Sequence, residues 1–278
     1  MRILKNELVN TIVRQTNKNV EYIILFSFLE DLIPVAIEFY RSSNIELKLA
    51  SLRLFHGLSR SVQQLHTTFN DTICDILLDA IQSNHLAIVK TASAVICNSL
   101  LDFSICATVR QIDLFTFSLS LIRFVCFFKR LLSGGILDIL LSFLTHTDHD
   151  LVINSIWAFR NLSYKSSTDV KQDILERKKK ENNRFFSVIS LLGLTIDRIY
   201  SLLQTTDDEQ LLVCLLQLIR NCLQEKDIKT CLPILDSDRL LSTLEIISEK
   251  KYTDEVHREA NLLIDYINSI NNPVRKKL

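Results

Sequence analysis

The chain has 278 residues, with 32 Lys and Arg against 32 Asp and Glu, and it contains only four Gly and three Pro. Gly and Pro together make up about 2.5% of the residues, whereas roughly 12% is ordinary. This composition disfavours turn-rich sheet folds and glycine-rich nucleotide-binding loops, and it favours an all-α fold. A net charge of zero also argues against nucleic-acid binding, which needs a concentrated basic surplus. We therefore expect protein partners and no nucleic acid.

Cysteine usage and hydropathy give an expectation about the compartment. The seven cysteines show no CxxC spacing, so we expect buried thiols in a reducing compartment. The first fifteen residues lack the apolar core of a signal peptide. The most apolar run, residues 114–128, contains Arg123 and is shorter than the roughly 20 residues of a spanning helix. We expect a cytoplasmic and nuclear protein without a membrane segment.

Four windows of equal length each predict a helix, a polar turn and a second helix. In the first half of every window, apolar residues recur at steps of three and four, which is the spacing of one helix face. The turns that follow read RSSN, QSNH, THTD and TTDD, and an apolar second half comes after each. The windows are residues 30–57, 71–98, 134–161 and 194–221.

The spacing of the windows predicts a repeat fold. The first two windows end 41 residues apart, a period typical of armadillo and HEAT units. Such units cover their apolar faces by stacking on one another. We therefore predict an all-α fold, a right-handed α-solenoid of armadillo/HEAT-type repeats, as a single domain over residues 1–278.

Longer separations between the later windows predict two insertions, at about 104–130 and 176–194. The first is apolar and predicts an extra helix. Residues 238–270 predict a degenerate fifth repeat with a polar, solvent-facing stretch, and residues 1–29 predict part of a leading helical layer.

An amide recurs in the last column of the windows, which holds Gly57, Asn98, Asn161 and Asn221. Asparagine is a poor interior helix former, so its recurrence indicates a specific role. The amides either bind the backbone of an extended peptide in a groove or bond to neighbouring helices. Trp157 precedes Asn161 by one helical turn. The candidate protein-binding residues are Asn98, Asn154, Trp157, Asn161, Gln217 and Asn221.

No catalytic residue, cofactor site or metal ligand is assigned. The cluster His146, Asp148, His149 and Asp150 contains residue types that ligate divalent metals, but a polar inter-helix turn explains it equally. The sequence lacks HExxH and GxSxG motifs, and we do not expect an enzyme. The basic run at residues 177–180 fits either a nuclear localisation patch or a solvated insertion.

Several segments resemble known armadillo proteins. The third window resembles an armadillo repeat, with paired glycines at 134–135, an apolar helix, a short polar turn and the sequence WAFRNLS from Trp157. The segments 57–69, 94–104 and 157–175 are similar to segments of the armadillo repeat-containing protein 8 family. Apart from the two insertions, this resemblance covers residues 30 to 224.

What this resemblance implies is a non-catalytic scaffold subunit of a GID/CTLH-type E3 ubiquitin ligase complex. Such a subunit links a substrate receptor to the catalytic core, so the implied partners are LisH/CTLH and RING subunits and the substrate receptor. The RING subunits carry out ubiquitin transfer in that complex, and the scaffold needs no cofactor.

A peptide-binding armadillo adaptor of the nuclear-import type is the alternative, based on Trp157 and Asn161. That family repeats the Trp–Asn pair in most layers, whereas the tryptophan column here reads Arg53, Ala94, Trp157 and Gln217.

Overall fold

The computed structural model describes residues 32–61, 65, 67–100, 126–127, 129–164, 193–223 and 228–271. Within these ranges the regular secondary structure is helical, and no strand occurs. Of the described helices, none is long and apolar enough to cross a membrane.

Each predicted window contains two helices. The first two windows contain α1 (residues 32–41), α2 (Ile45–Ser59), α3 (Asp71–Ala80) and α4 (Leu86–Ser99). The next two contain α5 (Ile136–Phe143), α6 (His149–Ser163), α7 (Gly193–Thr205) and α8 (Glu209–Cys222). The helices α9 (Ile228–Leu235), α10 (Ser237–Glu249) and α11 (Asp254–Asn271) follow.

In three of the four windows, the polar turn supplies a residue that caps the N-terminus of the second helix. The side chain of Asn44 accepts hydrogen bonds from the backbone N–H groups of Glu46 and Leu47 at the start of α2. Asp148 and Asp208 cap α6 and α8 in the same way. Each of these residues is the last letter of its turn motif, and capping satisfies donors that the helix itself leaves unpaired.

Contacts divide the molecule into two compact units, of which the first contains α1 to α4. In this unit α2 and α3 both pack on α4. Leu52, Phe55, Val95 and Ile96 have no solvent exposure, and burying each such side chain contributes about 1.5 to 3 kcal/mol.

The end of the predicted first insertion also packs in the first unit. Residues 126–127 and 129–133 are helical. The ring of Phe127 meets that of Phe69 edge-on at 5.5 Å, and Arg130 donates two hydrogen bonds, of 2.6 and 2.8 Å, to Asp75. The described end of the insertion therefore forms part of the first unit.

The second unit, with α5 to α11, is built in two rows of helices. The second helices of its repeats form one row, in which α6 packs on α8 and α8 on α11. In the other row, α7 packs on α10. Within each repeat the paired helices also contact, which is the layered arrangement that repeat proteins use to cover apolar faces.

Several sequence predictions lie outside the described residues. These are the leading layer at 1–29, the first insertion up to residue 125, the second insertion at 176–192 and the basic run at 177–180. That residues 1–278 form a single continuous solenoid stays a prediction.

Candidate protein-binding site

The candidate residues are distributed between the two units. Asn98 lies on α4 in the first unit, whereas Asn154, Trp157 and Asn161 lie on α6 in the second. The neighbouring helix α8 carries Gln217 and Asn221. Because α6 packs on α8, the structure brings these five residues of the second unit onto adjacent helices.

Asn98 bonds to the preceding repeat. Its side-chain amide donates a hydrogen bond of 2.9 Å to the Ser59 hydroxyl at the end of α2, and Ser59 itself donates to the backbone carbonyl of His56. Asn98 is half-buried, whereas Ser59 is buried. The amide therefore connects the C-terminal ends of two packed helices.

Asn221 makes the equivalent connection in the second unit. Its amide donates to the backbone carbonyl of Arg160 over 3.1 Å, so the last turn of α8 is bonded to the last turn of α6. Asn221 is 7% exposed and Asn161 is 5% exposed. At Asn98 and Asn221 the amides thus bridge neighbouring helices, which is one of the two roles expected from the sequence.

Trp157 is half-buried and has a guanidinium group over its ring. The Cζ atom of Arg160 lies 5.7 Å from the ring centroid, within range of a cation–π interaction. The indole nitrogen is buried beside the Cys214 thiol, without a well-aligned hydrogen-bond partner among the described residues. Burial raises the pKa of Cys214 to about 12, although Arg160 and Trp157 act in the opposite direction.

A charged cluster on α8 and α11 was not among the predicted site residues. Glu259 is only 3% exposed, and its carboxylate lies 2.8 Å from an Arg220 guanidinium nitrogen. Gln217 donates to the same carboxylate over 3.4 Å, and Arg258 lies 3.9 Å from it. Sequence reasoning missed Glu259 because charged residues in a polar stretch ordinarily face solvent.

The THTDHD motif forms a capped turn in the structure. His146 Nδ1 accepts a hydrogen bond of 2.9 Å from the backbone N–H of Asp148. The Asp148 carboxylate in turn accepts from the N–H groups of Asp150 and Leu151. Within the described residues, no group of three or more His, Cys, Asp and Glu side chains is placed to hold a metal ion.

His149 joins this turn to the next repeat. Its Nε2 lies 2.5 Å from the Asp208 carboxylate, which also caps α8. Partial burial by itself would raise the pKa of Asp208, but the hydrogen bonds from His149 and the Leu211 N–H outweigh it and hold that pKa below its ordinary value. This contact links the starts of α6 and α8, as the Asn221 bond links their ends.

Curated proteins that match the chain include armadillo repeat-containing protein 8 of several species. The chain is 25% identical to armadillo repeat-containing protein 8 of Xenopus laevis over 218 residues, which is 78% of this chain and 25% of that protein. It is also 25% identical to the Mus musculus protein over 78% of this chain. The Danio rerio protein is 24% identical over 83% of this chain. This chain resembles armadillo repeat-containing protein 8.

The match spans about a quarter of the length of these curated relatives. No family model matches the chain. The resemblance to armadillo repeat-containing protein 8 that we expected from the sequence is therefore confirmed. It is a distant resemblance, and it covers one part of a longer protein.

Solved structures show the fold. An engineered protein superposes with a TM-score of 0.60 at 14% identity, covering 95% of this chain and 90% of the other. A designed armadillo repeat protein in complex with a (KR)4 peptide gives 0.59 at 13% identity, over 94% and 91%. A HEAT-like repeat protein from Thermococcus onnurineus gives 0.51 at 13% identity, over 96% and 97%.

These similarities confirm the predicted fold class, an all-α solenoid of armadillo/HEAT-type repeats. Together with the curated relatives, they support a repeat-based scaffold that binds proteins. Repeat folds of this kind present extended surfaces to their partners.

Proposed function

We propose that this protein is a non-catalytic subunit of a GID/CTLH-type E3 ubiquitin ligase complex, in which it links a substrate receptor to the catalytic core. Its partners would be LisH/CTLH and RING subunits and the receptor, and it would act in the cytoplasm and nucleus. The similarity to armadillo repeat-containing protein 8 over 78% of the chain is the observation that carries this proposal.

The second unit supports a role in binding proteins. Its α6–α8 pair is bonded at both ends, by His149 to Asp208 and by Asn221 to Arg160, so side chains between these bonds are held on a stable platform. Trp157 lies between them, half-buried on α6, and tryptophan is enriched at binding hot spots. We propose Asn98, Asn154, Trp157, Asn161, Gln217 and Asn221 as the protein-binding set, with the amides holding the helices in place.

Affinity purification tests the proposed function. The full chain, tagged and expressed in cells, is purified under gentle conditions, and its partners are identified by mass spectrometry. We expect LisH/CTLH and RING subunits to co-purify, and a chain that retrieves neither would overturn the proposal.

A substitution at Trp157 tests whether the candidate residues contribute to the co-purification of the ligase subunits. Trp157→Ala removes the largest half-buried side chain of the set, and we expect it to lower the recovery of at least one subunit. Tyr252→Ala, an aromatic truncation elsewhere in the same unit, is the matched control and should retain every subunit. Equal recovery with both variants would place the docking surface elsewhere.

An adaptor of the nuclear-import type predicts a different ligand. Such a protein carries basic peptides, and the designed armadillo protein that resembles this chain was solved with a (KR)4 peptide. Here Arg160 already lies over the Trp157 ring. A basic side chain of a peptide would therefore meet a like charge at the ring that it would otherwise contact. Fluorescence anisotropy with labelled (KR)4 tests this alternative, which requires binding that is lost on Asn161→Ala.

A further inference from the structure

Arginine occupies the same repeat position on two neighbouring helices. Arg160 and Arg220 each come directly before the last amide of their window, in the sequences RN at 160–161 and RN at 220–221. The equivalent positions in the first two windows are His56 and Cys97. This arginine pair is therefore a feature of the second unit.

The bond between the helices fixes the two arginines in register. Asn221 donates to the backbone carbonyl of Arg160, so Arg220 and Arg160 lie one repeat apart at the ends of packed helices. Helices that pack in this way are about 8 to 10 Å apart. The two side chains thus start about 10 Å from each other.

The charge at this face is incompletely balanced. Among the described residues Arg160 has no carboxylate partner, and its guanidinium group lies over the Trp157 ring. Arg220 pairs with buried Glu259 but keeps 45% of its side chain exposed. Arg258 is 63% exposed and lies 3.6 Å from Glu255. Among the described residues of this face, the two carboxylates thus pair with Arg220 and Arg258, and Arg160 supplies a third positive charge.

We infer that the arginine face, formed by Trp157, Arg160, Arg220 and Arg258, binds an acidic, extended segment of a partner protein. This inference rests on the proposed scaffold function and names the chemistry of its partner. Guanidinium groups form paired hydrogen bonds with carboxylates. An extended chain advances about 3.3 Å per residue, so acidic residues about three positions apart reach both Arg160 and Arg220.

The charges on this face disfavour nucleic acid as the negatively charged ligand. Nucleic-acid binding gains affinity by neutralising many phosphates with a long basic surface. Glu255, which is 57% exposed, and Glu259 interrupt this face. One excess positive charge suits one or two carboxylates of a peptide rather than a run of phosphates.

Fluorescence anisotropy with the full chain and a labelled (DE)4 peptide tests the inference. We expect saturable binding that weakens as salt rises, because partly exposed charges are screened, and no binding of (KR)4. Arg160→Gln should weaken (DE)4 binding about tenfold, as expected for one lost charge-assisted contact, and Arg160→Glu should abolish it. Arg239→Gln is the matched control, because Arg239 lies on α10 and pairs with exposed Asp197, and it should bind like wild type.

Arg220 needs a paired substitution, because removing it alone leaves the buried Glu259 carboxylate unmatched. Arg220→Gln combined with Glu259→Gln removes one charge of each sign, and we expect weaker (DE)4 binding with an unchanged circular-dichroism spectrum. Equal affinity of wild type and Arg160→Gln, or a preference for labelled oligouridylate, would overturn the inference. Failure here with successful co-purification of ligase subunits would reject the arginine face alone, whereas the reverse result would reject the ligase function alone.

Discussion

The side-chain amide of Asn221 donates a hydrogen bond of 3.1 Å to the backbone carbonyl of Arg160. The bond joins the final turns of two helices that are one repeat apart. The Arg160 carbonyl also accepts a hydrogen bond of 3.2 Å from the Tyr164 N–H, so the amide adds a second donor, from the neighbouring helix. The Asn98 amide makes a similar connection to the Ser59 hydroxyl in the first unit. A recurring asparagine therefore serves as a link between successive layers.

Asn221→Ala should destabilise the protein by about 1 kcal/mol, because the hydrogen bond between α8 and α6 is lost while the Arg160 carbonyl keeps the Tyr164 N–H as a donor. Urea denaturation followed by circular dichroism measures the change. Asn268→Ala is the control, since Asn268 is exposed on α11 and its replacement should change stability by less than about 0.5 kcal/mol. Equal effects of the two substitutions would contradict a linking role for Asn221.

Two glycines should respond to alanine with opposite signs. Gly57 lies within α2, where an added Cβ meets nothing within 4 Å, so Gly57→Ala should stabilise the protein by about 0.5 to 1 kcal/mol. Gly135 has a φ of +78° before α5, so Gly135→Ala should destabilise it by about 1 to 2 kcal/mol. Thermal unfolding compares the two, and Gly135→Asn should cost less because asparagine tolerates this backbone conformation. A stabilising Gly135→Ala would contradict the backbone argument.

The His149–Asp208 contact should make stability depend on pH in the acid range. The pKa of Asp208 is lowered on folding, so its contribution is fully present above the ordinary aspartate value of about 3.9 and is lost as pH falls through the folded value. Asp208→Asn keeps a good helix cap but removes the charge. Urea denaturation should show wild type to be more stable than this variant at pH 6, with a gap that narrows below about pH 3.

Asp207→Asn is the control for this titration, because it removes a neighbouring charge that is exposed. A gap between wild type and Asp208→Asn that stayed constant across the acid range would show that the charge of Asp208 does not contribute.

Thiol reactivity should differ among the cysteines of the described residues. Cys126 is exposed, whereas Cys74 and Cys214 are buried, and burial raises the pKa of both buried thiols to about 12. Since the thiolate is the reactive form, iodoacetamide at neutral pH should modify Cys126 before these two. Peptide mass spectrometry reads the order, and unfolding in urea should remove the difference. Modification of Cys214 at the same rate as Cys126 in the native protein would contradict the assigned burial.

The sequence allowed the helices and their turns to be predicted because both depend on local patterns. Apolar spacing indicates each helix, and Asn44, Asp148 and Asp208 supply caps within three residues of the groups they bond. The partner of Asn221 lies 61 residues away, and no local pattern identifies it.

The burial of Glu259 could not be predicted from the sequence, also because it depends on residues far apart in the chain. Glu259 is buried, and its carboxylate is paired with Arg220, which lies on another helix at 2.8 Å. A carboxylate in a polar stretch predicts exposure, and only the packing of α8 on α11 reverses that expectation.

The link between α6 and α8 uses the main chain of residue 160 and leaves its side chain uninvolved. Different amino acids at that position can therefore alter which molecules the proposed arginine face attracts, while the architecture beneath it keeps its hydrogen bond. The side chain of residue 160 can thus be exchanged without loss of this link between the helices, and a point substitution there can adjust the choice of ligand while the scaffold stays the same.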